Sequence, residues 1–171
     1  AVSVITEEPF FLGQLSYLSA VRAAIALPIL QKDFIIDETQ IYEARAFGAD
    51  AILLILSLLT PQQAIDYFHL ASELALSVLT EVHREDELMA ALPWAPIIGI
   101  NNRSLETFQT DIQITPRLMK AVPQKEKGKT MVTESGIHSR SDVVLLEEAG
   151  ADAMLIGEAF MAAESIQKKM R

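Results

Sequence analysis

The chain has no cysteine, so disulfide frameworks, thiolate nucleophiles and Cys-type zinc sites are excluded. Basic residues are scarce beside acidic ones, 14 against 23, for a formal net charge of −9. A duplex or RNA binder needs a basic face, so nucleic acid is not an expected partner. An anionic small substrate would instead require a locally positive pocket on this acidic background. Histidine occurs three times, at His69, His83 and His138, in no metal-ligand spacing. His69 falls within a helix pattern and His138 just before one, positions typical of surface or capping residues, and His83 reads as non-catalytic. Long apolar runs are missing as well. The longest, Ala51 to Leu59, is interrupted by Ser57 and falls well short of the ~20 residues of a membrane helix. No basic-then-apolar signal segment opens the chain, so the expectation is a soluble cytoplasmic protein with no membrane partner. No Ser/Gly/Pro-rich linker divides the 171 residues, half of which are hydrophobic, and a single domain with a substantial core follows.

What is present is a recurring pattern. Short runs rich in Ile, Leu and Val lie at Val2–Ile5, Pro28–Leu30, Ala51–Leu56, Val78–Val82, Ile97–Ile100, Thr130–Val132 and Ala153–Ile156. None alternates strictly with polar residues, which suits parallel strands covered on both faces. Helix signals fall between them. Thr60-Pro61-Gln62-Gln63 reads as an N-cap, a proline in the first turn and a capping-box Gln; Asp37 with Gln40 and Ser139 with Asp142 read likewise. Gly48 and Gly150 stand where two helices should stop in a left-handed cap. Seven successive βα units result. Gly48-Ala49-Asp50-Ala51-Ile52-Leu53-Leu54-Ile55 returns as Gly150-Ala151-Asp152-Ala153-Met154-Leu155-Ile156, and at ~25 residues per unit the two copies stand four units apart, half of an eightfold barrel. A doubly wound open sheet also fits the periodicity, but the half-turn echo favours an α/β (β/α)8 TIM barrel, with seven units in this chain. Residue 1 is Ala and a strand-like run begins at once, as though the true start lay upstream.

In such a barrel the chemistry gathers at the C-terminal ends of the strands. The runs are followed there by Thr6-Glu7-Glu8, Lys32-Asp33, Ser57, Glu81 with His83, Asn101-Asn102-Arg103, Glu134-Ser135-Gly136 and Gly157-Glu158. Lys32, partly withdrawn from water near carboxylates, suits a general acid or a Schiff-base nucleophile; a surface lysine paired with Asp33 is the alternative. Glu81 is a carboxylate inside an apolar strand, where an uncompensated charge is costly. It either donates a proton or forms a structural pair with Lys32, Arg103 or another cation. Ser135-Gly136 and Gly157 suit an anion site, because backbone N–H groups at tight turns after the last two strands can converge on phosphate; tight turns alone would also call for glycine. Ser135 is no hydrolase elbow, since the preceding glycine is absent. Phe10, Phe11 and Phe34 either line a flat ring pocket or belong to the core, with the core favoured by the usual fate of such side chains.

These residues resemble the indole-3-glycerol-phosphate synthase family. The matching segments are Ser3-Val4-Ile5-Thr6-Glu7 with Phe10-Phe11, Leu27 to Asp37 with its Lys32-Asp33-Phe34, and Leu79-Thr80-Glu81-Val82-His83. Gly99-Ile100-Asn101-Asn102-Arg103-Ser104-Leu105, Glu134-Ser135-Gly136-Ile137 and Leu155-Ile156-Gly157-Glu158 complete the set, in the family's order along the whole chain. The resemblance implies a carboxy-lyase of tryptophan biosynthesis. It would close 1-(2-carboxyphenylamino)-1-deoxyribulose 5-phosphate to indole-3-glycerol phosphate with loss of CO2 and water, using no cofactor and no metal. It implies Lys32 as general acid and Glu81 in proton transfer and charge stabilisation. It further implies Asn101, Arg103, Glu134 and Ser135 holding substrate, Phe11, Phe34 and Leu53 around the anthranilate ring, and backbone amides of Gly136, Gly157 and Glu158 on the phosphate.

The chain departs from the family pattern at its start, where the N-terminal arm and first βα unit are missing, so residues 1–171 correspond to units two to eight. That unit carries a Glu-x-Lys and a Ser-Pro-Ser loop, and severely reduced activity is expected of the isolated chain. Trp94-Ala95-Pro96 replaces a Gly-Ala of many members, in a loop away from the site. Open barrel edges suggest self-association or complementation by another piece. Two other readings stand beside the synthase: a non-catalytic barrel fragment that binds a phosphate ligand or complements a missing piece, and another phosphate-binding barrel such as phosphoribosylanthranilate isomerase.

Overall fold

A computed structural model describes residues 1–123, 126 and 128–169. The chain divides into two compact units, Ala1–Glu81 and Val82–Arg171, each a parallel α/β assembly with strand order following chain order.

The first unit contains β1 (Val2–Ile5), α1 (Ser16–Ala24), β2 (Ile29–Lys32), α2 (Glu38–Ala46), β3 (Ala51–Ile55), a single 3-10 turn at Leu56–Leu58, α3 (Pro61–Glu73) and β4 (Ser77–Val82), whose last residue opens the second unit. Register pairs Ile5 with Lys32 and Ile55 with Glu81. Alternate strand residues thus separate into two faces. Val4, Ile29, Ile52, Leu54 and Val78 join Leu18 of α1, Ile41 and Ala44 of α2 and Ala71 of α3 in one buried cluster. Leu30, Leu53, Ile55 and Leu79 are buried on the other face. Burial on both faces explains why the runs in β2 to β4 do not alternate.

The second unit holds α4 (Glu85–Ala91), β5 (Ile97–Asn101), α5 (Ile114–Ala121), β6 (Thr130–Glu134), α6 (Arg140–Glu148), β7 (Ala153–Leu155) and the short helices α7 (Glu158–Met161) and α8 (Ile166–Lys169). Asn101 pairs in register with Glu134, and Glu134 with Leu155. Among the described residues, no helix is long and apolar enough to cross a membrane.

The predicted helix starts form as read. The Asp37 side chain accepts from Thr39 N–H and the Thr60 side chain from Gln63 N–H. The Ser139 side chain accepts from Asp142 N–H, and Gln40, Gln63 and Asp142 close the boxes. The internal echo has a mechanical basis. Gly48 and Gly150 take left-handed φ of 93° and 99°, which ends α2 and α6. Ala49 N–H then donates to the Ala44 carbonyl and Ala151 N–H to the Leu146 carbonyl. The next residue reaches back to the preceding strand: Asp50 accepts from Ile29 N–H at 2.7 Å and Asp152 from Met131 N–H at 2.8 Å. Gly-Ala-Asp is therefore a helix-to-strand connector used twice, with each carboxylate holding the start of a neighbouring strand.

Candidate active site

The first unit brings Lys32 and Glu81 together at the C-terminal ends of β2 and β4. Lys32 Nζ lies 3.7 Å from Glu81 Oε2, with side-chain exposures of 29% and 1%. Of the alternatives left open by the sequence, the Lys32–Glu81 pair forms. Asp33 is engaged elsewhere: it accepts from the Thr6 hydroxyl at 2.5 Å and from Phe34 N–H at 2.8 Å. Gln31 Nε2 donates to Thr6 Oγ1 at 3.0 Å, tying the ends of β1 and β2 together on the side of the strand away from Lys32. An ammonium beside a carboxylate shut away from solvent sets an acid and a base side by side, the pair that proton transfer needs.

Leu53, 1% exposed, shares the sheet face of Lys32 and Glu81, as the β2–β3 and β3–β4 registers require. The phenylalanines depart from the core reading. Phe10 is 73% and Phe11 50% exposed, and Phe34 is half-buried. The rings of the first two meet that of Phe34, Phe10 edge-on at 6.4 Å and Phe11 tilted at 6.2 Å. The reason is local: Glu7 Oε2 accepts from the N–H groups of Phe10 and Phe11, both at 2.9 Å, folding residues 7–13 into a turn that presents both rings outward. Gly13 closes that turn, where an added Cβ would lie 2.5 Å from the Ile5 carbonyl oxygen.

The second unit gathers the other candidates at the ends of β5, β6 and β7. Asn101 and Glu134 are neighbours in register and both buried. Asn101 Oδ1 accepts from Arg103 N–H at 3.0 Å. The Arg103 guanidinium meets the Glu158 carboxylate at 2.6 Å, so the Glu158 side chain is a partner of Arg103 in addition to any role of its backbone. Ser135 and Gly136 turn the chain out of β6 with φ of 66° and 75°. Gly136 is held closely, since an added Cβ would lie 2.4 Å from Thr110 Cγ2. Gly157 has open space around its Cα and directly precedes α7.

His83 lies at the end of β4 in the second unit; its N–H donates to Glu87 Oε2 at 2.7 Å, and its ring Nδ1 is 3.9 Å from the same oxygen. His69 lies within α3 and His138 precedes α6, as read from the sequence. Among the described residues no group of three His, Asp or Glu is placed to hold a metal ion. The sequence placed Asn102 among the strand-end groups but gave it no role; it is wholly buried and hydrogen-bonded to Thr115, Thr133 and the turn after β6. The Asn101-Asn102 doublet was its only signal. Thr115 and Thr133 gave none, because they join Asn102 from distant positions.

The family model described as indole-3-glycerol phosphate synthase matches residues 1–171. The chain is 48% identical over 171 residues to the indole-3-glycerol phosphate synthase of Legionella pneumophila strain Paris, covering 99% of this chain and 65% of that protein. It is 50% identical over 172 residues to the protein of that name from Acetivibrio thermocellus, covering 100% of this chain and 65% of the relative. The chain thus spans about 65% of the length of these curated relatives. The solved orotidine 5'-phosphate decarboxylase of Pyrococcus horikoshii OT3 aligns with 98% of this chain and 82% of its own at a TM-score of 0.70 and 13% identity. At that identity the likeness concerns the fold alone, which is of the α/β (β/α)8-barrel class.

Proposed function

We propose, from the premise that the chain belongs to the indole-3-glycerol phosphate synthase family, that it carries much of the site for a decarboxylating ring closure. The substrate is 1-(2-carboxyphenylamino)-1-deoxyribulose 5-phosphate and the product indole-3-glycerol phosphate. The Lys32–Glu81 pair, an ammonium against a carboxylate shut away from water across β3 at the ends of β2 and β4, carries this reading.

Lys32 is the general acid. It gives a proton to the ketone oxygen as the ring carbon bearing the carboxylate attacks the carbonyl carbon, forming the new C–C bond. The C–CO2 bond then breaks and its electron pair returns to the ring as CO2 leaves. The hydroxyl formed from the ketone is protonated and departs as water, and the neighbouring CH2 carbon loses a proton to form the C=C bond that completes the indole. Glu81 stabilises the positive charge on the intermediate and accepts a proton as aromaticity is restored. Its desolvation strengthens both effects. Phe11, Phe34 and Leu53 enclose the anthranilate ring. Asn101, Arg103, Glu134 and Ser135 orient the sugar chain, and the N–H groups of Gly136, Gly157 and Glu158 take the phosphate. Residues 1–171 serve as one barrel domain of a cytoplasmic enzyme. Self-association or complementation through the outer edges of β1 and β7 belongs to the same proposal.

The test is a fluorescence assay of indole formation in the intact protein that carries this sequence. Lys32→Met and Glu81→Gln each lower kcat by at least about 100-fold while KM moves by less than about threefold, the mark of groups acting on the transition state. Turnover at the unsubstituted level in either variant would remove that residue from the acid–base machinery.

A further inference from the structure

Asn102 does not share the sheet face of Asn101 and Glu134. It follows Asn101 at the end of β5, on the helix-covered side with Thr133, and the reading above assigns it nothing. Its burial is complete, yet its side chain is fully used. Nδ2 donates to Thr133 Oγ1 at 3.1 Å, to the Glu134 carbonyl at 3.0 Å and to the Ser135 carbonyl at 3.1 Å. Oδ1 accepts from Thr115 N–H at 3.1 Å and from the Thr115 hydroxyl at 2.9 Å, and the two threonine hydroxyls meet at 2.8 Å. Its backbone adds two more bonds, N–H to the Glu134 carbonyl at 2.9 Å and carbonyl from Asp111 N–H at 2.8 Å.

The turn so gripped is an uncomfortable one. Ser135 carries a side chain at a φ of 66°, where the Cβ crowds the backbone, and such conformations persist only when surrounding contacts over-determine them. The Glu134 carbonyl accepts from both the backbone N–H and the Nδ2 of Asn102, and the Ser135 carbonyl, one residue past β6, accepts from the same Nδ2. A carbonyl deprived of its donor in such surroundings is costly. We propose that Asn102 is a positioning residue: from behind the sheet its Nδ2 holds the Glu134–Gly136 turn in the geometry that presents the turn to the phosphorylated end of the substrate. This rests on the reading of Ser135 and Gly136 as substrate and phosphate contacts. The opposite end of the same side chain has a different task, fixing the start of α5 through Thr115, and the two tasks are separable.

The experiment uses the intact protein with Asn102→Asp, Asn102→Ala and Thr115→Val. It measures amide hydrogen exchange at Gly136 and Ile137, the Kd for inorganic phosphate, and Tm. Asn102→Asp keeps the shape and the Thr115 bonds but turns a carboxylate oxygen toward two carbonyls. Asn102→Ala is neutral and repeats the test should that buried charge unfold the chain. Both should raise exchange at the turn and weaken phosphate by about tenfold or more, as expected when a buried hydrogen-bond set is lost. Thr115→Val should lower Tm with phosphate Kd within about twofold of the unsubstituted protein, since the Nδ2 bonds remain. Unchanged exchange and Kd in Asn102→Ala would overturn the proposal. So would a phosphate loss in Thr115→Val equal to that of the Asn102 variants, which would make Asn102 a support of the fold only. An unsubstituted protein that fails to bind phosphate sinks the phosphate reading, while exchange at Gly136 still decides whether Asn102 holds the turn.

Discussion

At the scale of single residues, the partner a charged group finds determines what it can do. Lys32 has a carboxylate beside it in sequence, Asp33, and another two strands further along the chain, Glu81, and it pairs with the distant one. Strand pleating explains this: Asp33 leaves β2 on the side of Thr6 and Gln31, whose hydrogen bonds occupy it. Removing one member of the Lys32–Glu81 pair takes a charge partner from the other. Lys32→Met should cost about 1–3 kcal/mol, less than a fully buried pair because the ammonium keeps solvent contact. Adding Glu81→Gln should restore at least half of that loss. Denaturant unfolding of the two single variants and the double variant gives the coupling directly, and additive losses would show that the pair does not stabilise the fold.

At the scale of elements, the capping boxes place the helices that follow the site-bearing strands. The α6 box stands just beyond the Glu134–Gly136 turn. Ser139 accepts from Asp142 N–H, and the Asp142 carboxylate accepts from the N–H groups of His138 and Ser139 at 3.0 and 2.8 Å. Ser139→Ala should therefore cost about 1 kcal/mol, read as a lower Tm. The backbone N–H of His138, helped by Ser139, holds the Asp142 carboxyl below its ordinary value against a desolvation that pushes the other way. The sign follows from linkage. A carboxyl depressed in the folded state adds stability that is complete above its unfolded pKa and is lost as pH falls through the folded one. Asp142→Asn should accordingly flatten the acid limb of stability below about pH 4, near the unfolded carboxylate value, and leave the dependence at neutral pH alone. An unchanged acid limb would count against the box as a source of stability.

At the scale of the molecule, the proposed function asks an acidic chain to take an anionic ligand. With a net charge of −9, long-range attraction does not favour that encounter, so under the proposal recognition would depend on local N–H groups and Arg103. A ligand that binds only the folded state stabilises it by mass action, about 2.7 kcal/mol at a hundredfold excess over Kd. For a protein of this size indole-3-glycerol phosphate at that excess should raise Tm by roughly 5–10 °C. Gly136→Ala, strained at φ 75° and crowded by Thr110, should lose most of that shift. A ligand-induced shift as large in Gly136→Ala as in the unsubstituted protein would speak against the turn as the phosphate contact.

The order of strands and helices, the three capping boxes and the left-handed stops at Gly48 and Gly150 were legible in the sequence alone. Each depends on residues within about five positions of one another, or on apolar runs whose double-sided burial leaves no alternation. The strand-end location of Lys32, Glu81, Asn101 and Glu134 follows from the same order. Tertiary structure decided the rest. It chose Glu81 over Asp33 for Lys32 and turned Phe10 and Phe11 outward on the Glu7 carboxylate. It gave the Glu158 side chain to Arg103 and brought Thr115 and Thr133 to Asn102. These outcomes depend on which face of a strand a residue occupies and on which distant donor satisfies a buried acceptor. A linear pattern of residue types carries neither, because contacts between remote positions are set only when the strands take their register.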